Sequence, residues 1–288
     1  MSIGFDLLAG TAYASAVMTD AAPTVLVFDS GLGGLTVLAE LRRSLPGARF
    51  IYVADDAAFP YGALDDDALV DRVNHVMDRL IPRFSPDAVV IACNTASTLV
   101  LPHLRARFAA PFVGTVPAVK PAALMTRTGR IAILATPGTV RRDYTRALIT
   151  AYAADLAVTL VGATGLAGLA EAFMKGEPVD DAAIWAEVAP CFVEEAGRRT
   201  DVIVLACTHY PLLLERFQAI APWPVSFVDP APAIARRAQA LLWEAKPEPN
   251  EALMLFTGVS PPAPELANAL TQRGLGRVEL LGMPLARH

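Results

Sequence analysis

Cys93 and Cys207 stand where sulfur can do chemistry. Cys93 follows the apolar run Ala88–Ala92, and Cys207 follows Val202–Ala206. Each run has the length and composition of a buried strand. Polar residues come next: Asn94-Thr95 after the first, Thr208-His209 after the second. A thiol between a strand end and a helix start meets unpaired N–H groups and a helix dipole, both of which favour the thiolate. Two such thiols on opposite faces of a small carbon acid form a matched acid and base. One takes a proton from a carbon next to a carboxylate, the other delivers a proton to the opposite face, and they swap roles each turnover. A free thiol pKa of about 8.5 is easily tuned for this. The carbanion-like state needs fixed donors, which Asn94, Thr95, Thr208 and the flanking amides supply. Asp29 and His209 can each assist one thiol, and Glu171, an acid in the apolar helical stretch G-L-A-E-A-F, can orient His209.

Blander readings compete. Free cysteine is among the most buried residue types, so Cys93 and Cys207 can be core residues. Cys191, in A-P-C-F-V-E-E within a helical pattern, is read as core packing. Cys207-x-His209 offers two zinc ligands, but no Cys-x-x-Cys pair accompanies it. A Cys-His hydrolase would leave Cys93 unused. A pyridoxal cofactor needs a Schiff-base lysine, and Lys120, Lys175 and Lys246 all lie outside the strand-end motifs. No cofactor and no metal is therefore expected.

The elements that must carry these residues alternate strand and helix. Val25–Asp29 reads as a strand, Ser30–Gly34 (S-G-L-G-G) as a turn or ligand loop, and Leu35–Leu45 as a helix. Phe50–Ala54 leads to F-P-Y-G, whose amides can hold a carboxylate; the alternative is a plain turn with an aromatic on the surface. Asp65–Phe84 carries an apolar stripe at helical spacing. Arg130–Ala135, Thr136–Val140 (T-P-G-T-V) and a helix to Tyr152 repeat the opening pattern, and Ala182–Arg198 is read as one helix. Cys93 follows Asp29 by 64 residues and Cys207 follows Thr136 by 71, which points to an internal duplication. The expected fold is α/β with two doubly wound parallel-sheet domains and the site in the cleft between them. The first domain is expected to span residues 25–118 plus 229–288 and the second 119–228, with 1–24 an extension.

Of 288 residues, 54% are hydrophobic, yet no apolar run approaches a membrane span. A net charge of −5 without a basic cluster disfavours nucleic acid and anionic membranes as partners. Three widely spaced cysteines suit a reducing cytoplasm. Residues 1–41 hold no Lys or Arg, which disfavours a secretory or transit signal.

D-S-G-L-G-G, Y-V-A-D-D-A-A-F-P-Y-G, A-C-N-T-A-S, A-T-P-G-T and A-C-T-H-Y-P-L-L, in this order, resemble the glutamate racemases of the aspartate/glutamate racemase superfamily. The resemblance covers residue 25 to about residue 235. It implies cofactor-independent interconversion of L- and D-glutamate for peptidoglycan synthesis, and two domains related by a pseudo-twofold axis. It implies that Cys93 acts on the D-enantiomer and Cys207 on the L-enantiomer. Asp29, Ser30, Tyr61, Gly62, Asn94, Thr95, Thr136, Thr208 and His209 would hold substrate, and Glu171 would support the histidine. A homodimer and activation by a cell-wall precursor are also open. Asp56, Phe59, Pro117 and the light segment before Glu171 depart from the usual pattern. An aspartate-type racemase is the rival, although such relatives tend to carry Cys-Thr-Glu where Cys207-Thr208-His209 stands. A catalytically silent amino-acid binder is the reading from another class.

Overall fold

The computed structural model describes residues 22–243 and 252–284. Most of the expected N-terminal extension and the loop around Lys246 lie outside the described residues.

The first half alternates β1 (Thr24–Asp29), α1 (Leu35–Ser44), β2 (Arg49–Ala54), α2 (Asp66–Phe84), β3 (Ala88–Ile91), α3 (Asn94–Arg107) and β4 (Phe112–Gly114). The chain then enters α4 (Val119–Met125), β5 (Arg130–Ala135), α5 (Pro137–Arg141), α6 (Asp143–Tyr152), β6 (Ala157–Gly162), α7 (Leu166–Met174) and α8 (Asp181–Val188). A hairpin of β7 (Glu194–Glu195) and β8 (Arg198–Arg199) precedes β9 (Val202–Ala206), α9 (Leu214–Ile220), β10 (Ser226–Val228) and α10 (Ala231–Gln239). Finally β11 (Leu253–Phe256), α11 (Pro264–Gln272) and β12 (Arg277–Leu280) return to the first half.

One sheet runs β12-β11-β2-β1-β3-β4 and the other β10-β9-β5-β6, with every neighbour parallel. In both, the first strand of the half lies between its second and third, with a fourth outside the third. The duplication expected from spacing is thus present in strand order. The two cysteines occupy equivalent places, just past β3 and just past β9.

These central strands are unbroken runs of Val, Leu, Ile and Phe because helices cover both faces of each sheet. Val25, Leu26, Val27 and Phe28 are fully buried, as are Ile131, Ile133 and Leu134. Each such side chain contributes about 1.5–3 kcal/mol relative to exposure. On one face of the first sheet α1 and α10 share a core through Leu38, Leu41, Ile234 and Ala238. On the other face α2 and α3 contribute Leu69, Val73, Met77, Val100 and Leu104. Asp65 caps α2 by accepting from the Ala68 amide at 2.8 Å.

Two helices depart from the expected extents. The pattern over Ala182–Arg198 resolves into α8, a short 3₁₀ turn at Ala189–Cys191 and the β7–β8 hairpin. Pro190 has no N–H for the carbonyl four residues back, and Ala196 and Gly197 adopt φ of 50° and 73°, turning the chain. Cys191 is buried as expected, but in the turn rather than in a helix. The helix expected up to Tyr152 breaks at Arg142, whose backbone is extended. Among the described residues, no helix is long and apolar enough to cross a membrane.

Candidate active site between the two sheets

The carboxyl ends of β1, β2, β3, β5 and β9 converge, as ligand sites do in parallel α/β sheets. Asp29 closes β1 and is completely buried. Its Oδ1 accepts from the Gly31 amide at 2.9 Å, and its Oδ2 accepts from the Thr208 hydroxyl at 2.9 Å. The second bond joins the two halves. Cys93 sits at the N-terminal cap of α3, and its Sγ–H donates to Ser30 Oγ at 3.7 Å. Cys207 Sγ lies 3.9 Å from His209 Nδ1. Ser30, next to Asp29 in the chain, thus meets Cys93, and Asp29 reaches Thr208, the chain neighbour of Cys207. Both cysteines are about 95% buried, at 5% and 6% exposure.

His209 is also buried, and its Nε2 donates to Glu171 Oε1 at 2.9 Å. Burial alone would strip its proton, but the hydrogen bonds with Cys207 and Glu171 and the charge of Asp29 hold its pKa well above the usual histidine value. Burial likewise pushes Glu171 up, and the bond to His209, its charge and the Leu32 amide outweigh that and hold the carboxylate below its ordinary value. The pair is thus imidazolium and carboxylate, with the second ring N–H aimed at Cys207. Burial raises Asp29, and it pushes the Cys93 thiol up to about 12, with the Asp29 charge adding to it. Cys93 holds its proton in this state.

The S-G-L-G-G turn is a packing device. A Cβ at Gly31 would fall 2.2 Å from Glu171 Oε1, and one at Gly33 would fall 2.4 Å from His209 Nδ1. Leu32 donates its amide to Glu171 Oε1, and the Gly33 amide lies 3.3 Å from His209 Nε2. Glycine is required because the second half presses its acid and histidine onto this backbone.

The other expected residues gather around the same opening. Thr95 and Thr136 share a hydroxyl–hydroxyl bond of 2.9 Å across the halves, and Thr136 also caps α5. Gly62 faces Thr136, close enough that an added Cβ would touch it at 3.6 Å. The Tyr61 side chain is buried, and its hydroxyl donates to Asp55, so its main chain is what remains for a ligand. Asn94 is 1% exposed, and both polar atoms of its amide lack a partner in the protein. A buried amide costs free energy unless something bonds it, so the Asn94 amide is left with its bonding capacity unused in the protein.

Sequence reading passed over three contributors. Phe59 is half-buried, and its ring meets His209 at 5.3 Å between centroids with the planes tilted by 41°. Tyr52 donates its hydroxyl to the Gly31 carbonyl at 2.8 Å and pins the glycine turn. Asp55 anchors Tyr61. Only Asp55 carried a signal in the chain, as a charge directly after a buried strand.

A family model described as Asp/Glu/Hydantoin racemase matches residues 35–238. Glutamate racemase of Brucella anthropi is 57% identical over 224 residues, covering 77% of this chain and 81% of that one. The Mesorhizobium japonicum glutamate racemase is 58% identical over 226 residues, covering 78% and 86%. Among solved structures, Escherichia coli glutamate racemase in complex with L-glutamate and the activator UDP-MurNAc-Ala superposes with a TM-score of 0.83 at 38% identity, covering 93% of this chain and all of that one.

Proposed function

The chain belongs to the Asp/Glu/Hydantoin racemase family and racemises glutamate, and from that premise we propose that Cys93 and Cys207 are its two bases. L-glutamate lies between the sulfurs with its Cα–H toward Cys207. The Cys207 thiolate, facing the His209 imidazolium, takes the proton, and the electron pair moves into the substrate carboxylate. The Cys93 S–H then delivers its proton to the opposite face. D-glutamate leaves with Cys207 as thiol and Cys93 as thiolate, and the reverse direction runs the same steps backward. Asn94, Thr95, Thr208 and the Tyr61–Gly62 main chain hold the substrate in this reading. The supporting observation is the equivalent placement of the two cysteines past the third strand of each half, with Ser30 against Cys93 and Asp29 bonded to Thr208.

Incubation in D₂O tests it. The parent should place deuterium at Cα of both enantiomers. Cys93→Ala and Cys207→Ala should each abolish racemisation while keeping the parent's circular dichroism. Substantial turnover by either variant removes the two-thiol mechanism.

The product D-glutamate serves peptidoglycan synthesis, and the cytoplasm is its proposed site, consistent with three free cysteines among the described residues. A cell-wall precursor is its proposed activator, following the Escherichia coli neighbour. Two adjoining hollows beside the crossing into α4 suit a diphosphate with an aromatic base: Arg105 and Arg237 line one, Lys120, Arg236 and Arg237 the other, and Tyr144 and Tyr152 supply ring faces. Lys120→Ala with Arg237→Ala should remove activation by UDP-MurNAc-Ala and leave unactivated turnover in place.

A further inference from the structure

We infer that Asp55 and Arg72 are positioning residues for the loop Phe59–Gly62, which rests on the reading that the main chain of this loop holds substrate. Asp55 follows β2 and is completely buried, and its amide donates to the Asp29 carbonyl at 2.8 Å. It is therefore tied to the strand that ends in Asp29. Its carboxylate accepts from Arg72 Nε at 2.9 Å and Nη2 at 2.5 Å, from the Thr257 hydroxyl at 2.6 Å, and from the Tyr61 hydroxyl. Arg72 Nη2 also donates to the Met283 carbonyl at 2.7 Å, and the Met283 amide donates to the Thr257 carbonyl at 2.7 Å. The ring joins three neighbouring segments, the end of β2, the substrate loop and α2, to the C-terminal strands 202 and 211 residues away.

A buried ion pair is poor evidence of stability in itself, because apolar residues of similar volume would pack as well. What apolar residues would not do is hold a hydroxyl at a fixed point. Tyr61 is held from below by Asp55, and this sets the height at which Gly62 meets Thr136, which in turn meets Thr95. The planar Arg72 fork is matched to the two Asp55 oxygens and still donates to the Met283 carbonyl. Lysine cannot reproduce that geometry. The end of the chain is in this way wired to the substrate loop.

Arg72→Lys and Thr257→Val test the inference, with KM and kcat measured for both enantiomers of glutamate and melting temperature alongside. Arg72→Lys should raise KM about tenfold and Thr257→Val about threefold, with kcat within about twofold. A purely structural role would lower the melting temperature and leave KM of the folded fraction unchanged. If Arg72→Lys does not fold, Thr257→Val decides, being close to isosteric. Thr95→Val separates the inference from the reading beneath it. Raised KM in Thr95→Val with unchanged KM in Thr257→Val overturns the positioning role alone. Unchanged KM in both overturns the substrate placement as well.

Discussion

Burial pulls the charges of this site in two directions. It raises Asp29 and Cys93, while His209 and Glu171 overcome it by bonding each other. The Cys93 thiol has a folded value of about 12 against a usual 9.0, so its share of stability is complete below the unfolded value and is lost as pH rises toward the folded one. Between about pH 9 and 10 this amounts to roughly 1 kcal/mol, because the unfolded thiol is only half ionised at the start of the range. Cys191, also pushed up to about 12 by burial, contributes a second slope. Urea unfolding at pH 9 and 10 should therefore show Cys93→Ala losing less stability than the parent by about 1 kcal/mol. The His209–Glu171 pair works at both ends of the scale. Its raised member loses its contribution as pH rises through the folded histidine value, and its lowered member loses it as pH falls through the folded carboxylate value. Glu171→Gln should lower the His209 pKa seen by NMR and cost about 1–3 kcal/mol at neutral pH. That cost should shrink in acid, where the parent's Glu171 is protonated too.

Among the elements, the turn between β1 and α1 has a part that its motif does not show. S-G-L-G-G at the end of a strand reads as a turn or a ligand loop, and in the fold its glycines make room for Glu171 and His209. Nothing in the local sequence announces a partner that lies 139 or 176 residues away. Gly33→Ala must displace His209, because the new methyl would meet its ring and its backbone amide at 2.4 and 2.6 Å. It should cut turnover by at least about 100-fold, comparable to losing a positioned acid or base. Gly168→Ala, on α7 with open space around the new methyl, should instead stabilise by about 0.5–1 kcal/mol. Melting curves and turnover on the two variants together check both statements. The break after α8 has a comparable origin. Ile184, Val188 and Phe192 at helical spacing carried the periodicity across Pro190, but a carbonyl without its donor ended the helix.

Contacts between the halves include Thr208 with Asp29, Leu32 with Glu171, Gly33 with His209, Thr95 with Thr136, and an ion pair of Arg142 with Asp66 at the rim. All but the last lie at the site, so the packing of the halves also positions its chemistry. The last is exposed enough that its worth to stability is about 0–1 kcal/mol. Its place at the rim gives it a kinetic part instead. Arg142→Ala should leave the melting temperature nearly unchanged, raise KM a few-fold and remove the salt dependence of KM, measured from low to about 0.3 M NaCl.

From the chain alone came the strands that bear the cysteines, the repeated strand–turn–helix pattern, the family, and every residue placed at the cleft except Phe59, Tyr52 and Asp55. Those follow from local physics: apolar runs, turn residues and strand ends obey short periods that can be read without coordinates. Packing decided what each residue faces. The carboxylate of Glu171 on His209, the hydroxyl of Tyr61 on Asp55, the ring of Phe59 over the imidazole and the unpaired amide of Asn94 arise from segments brought together by the two sheets. Contacts of that range leave no period in the sequence, because their geometry exists only after both cores have formed.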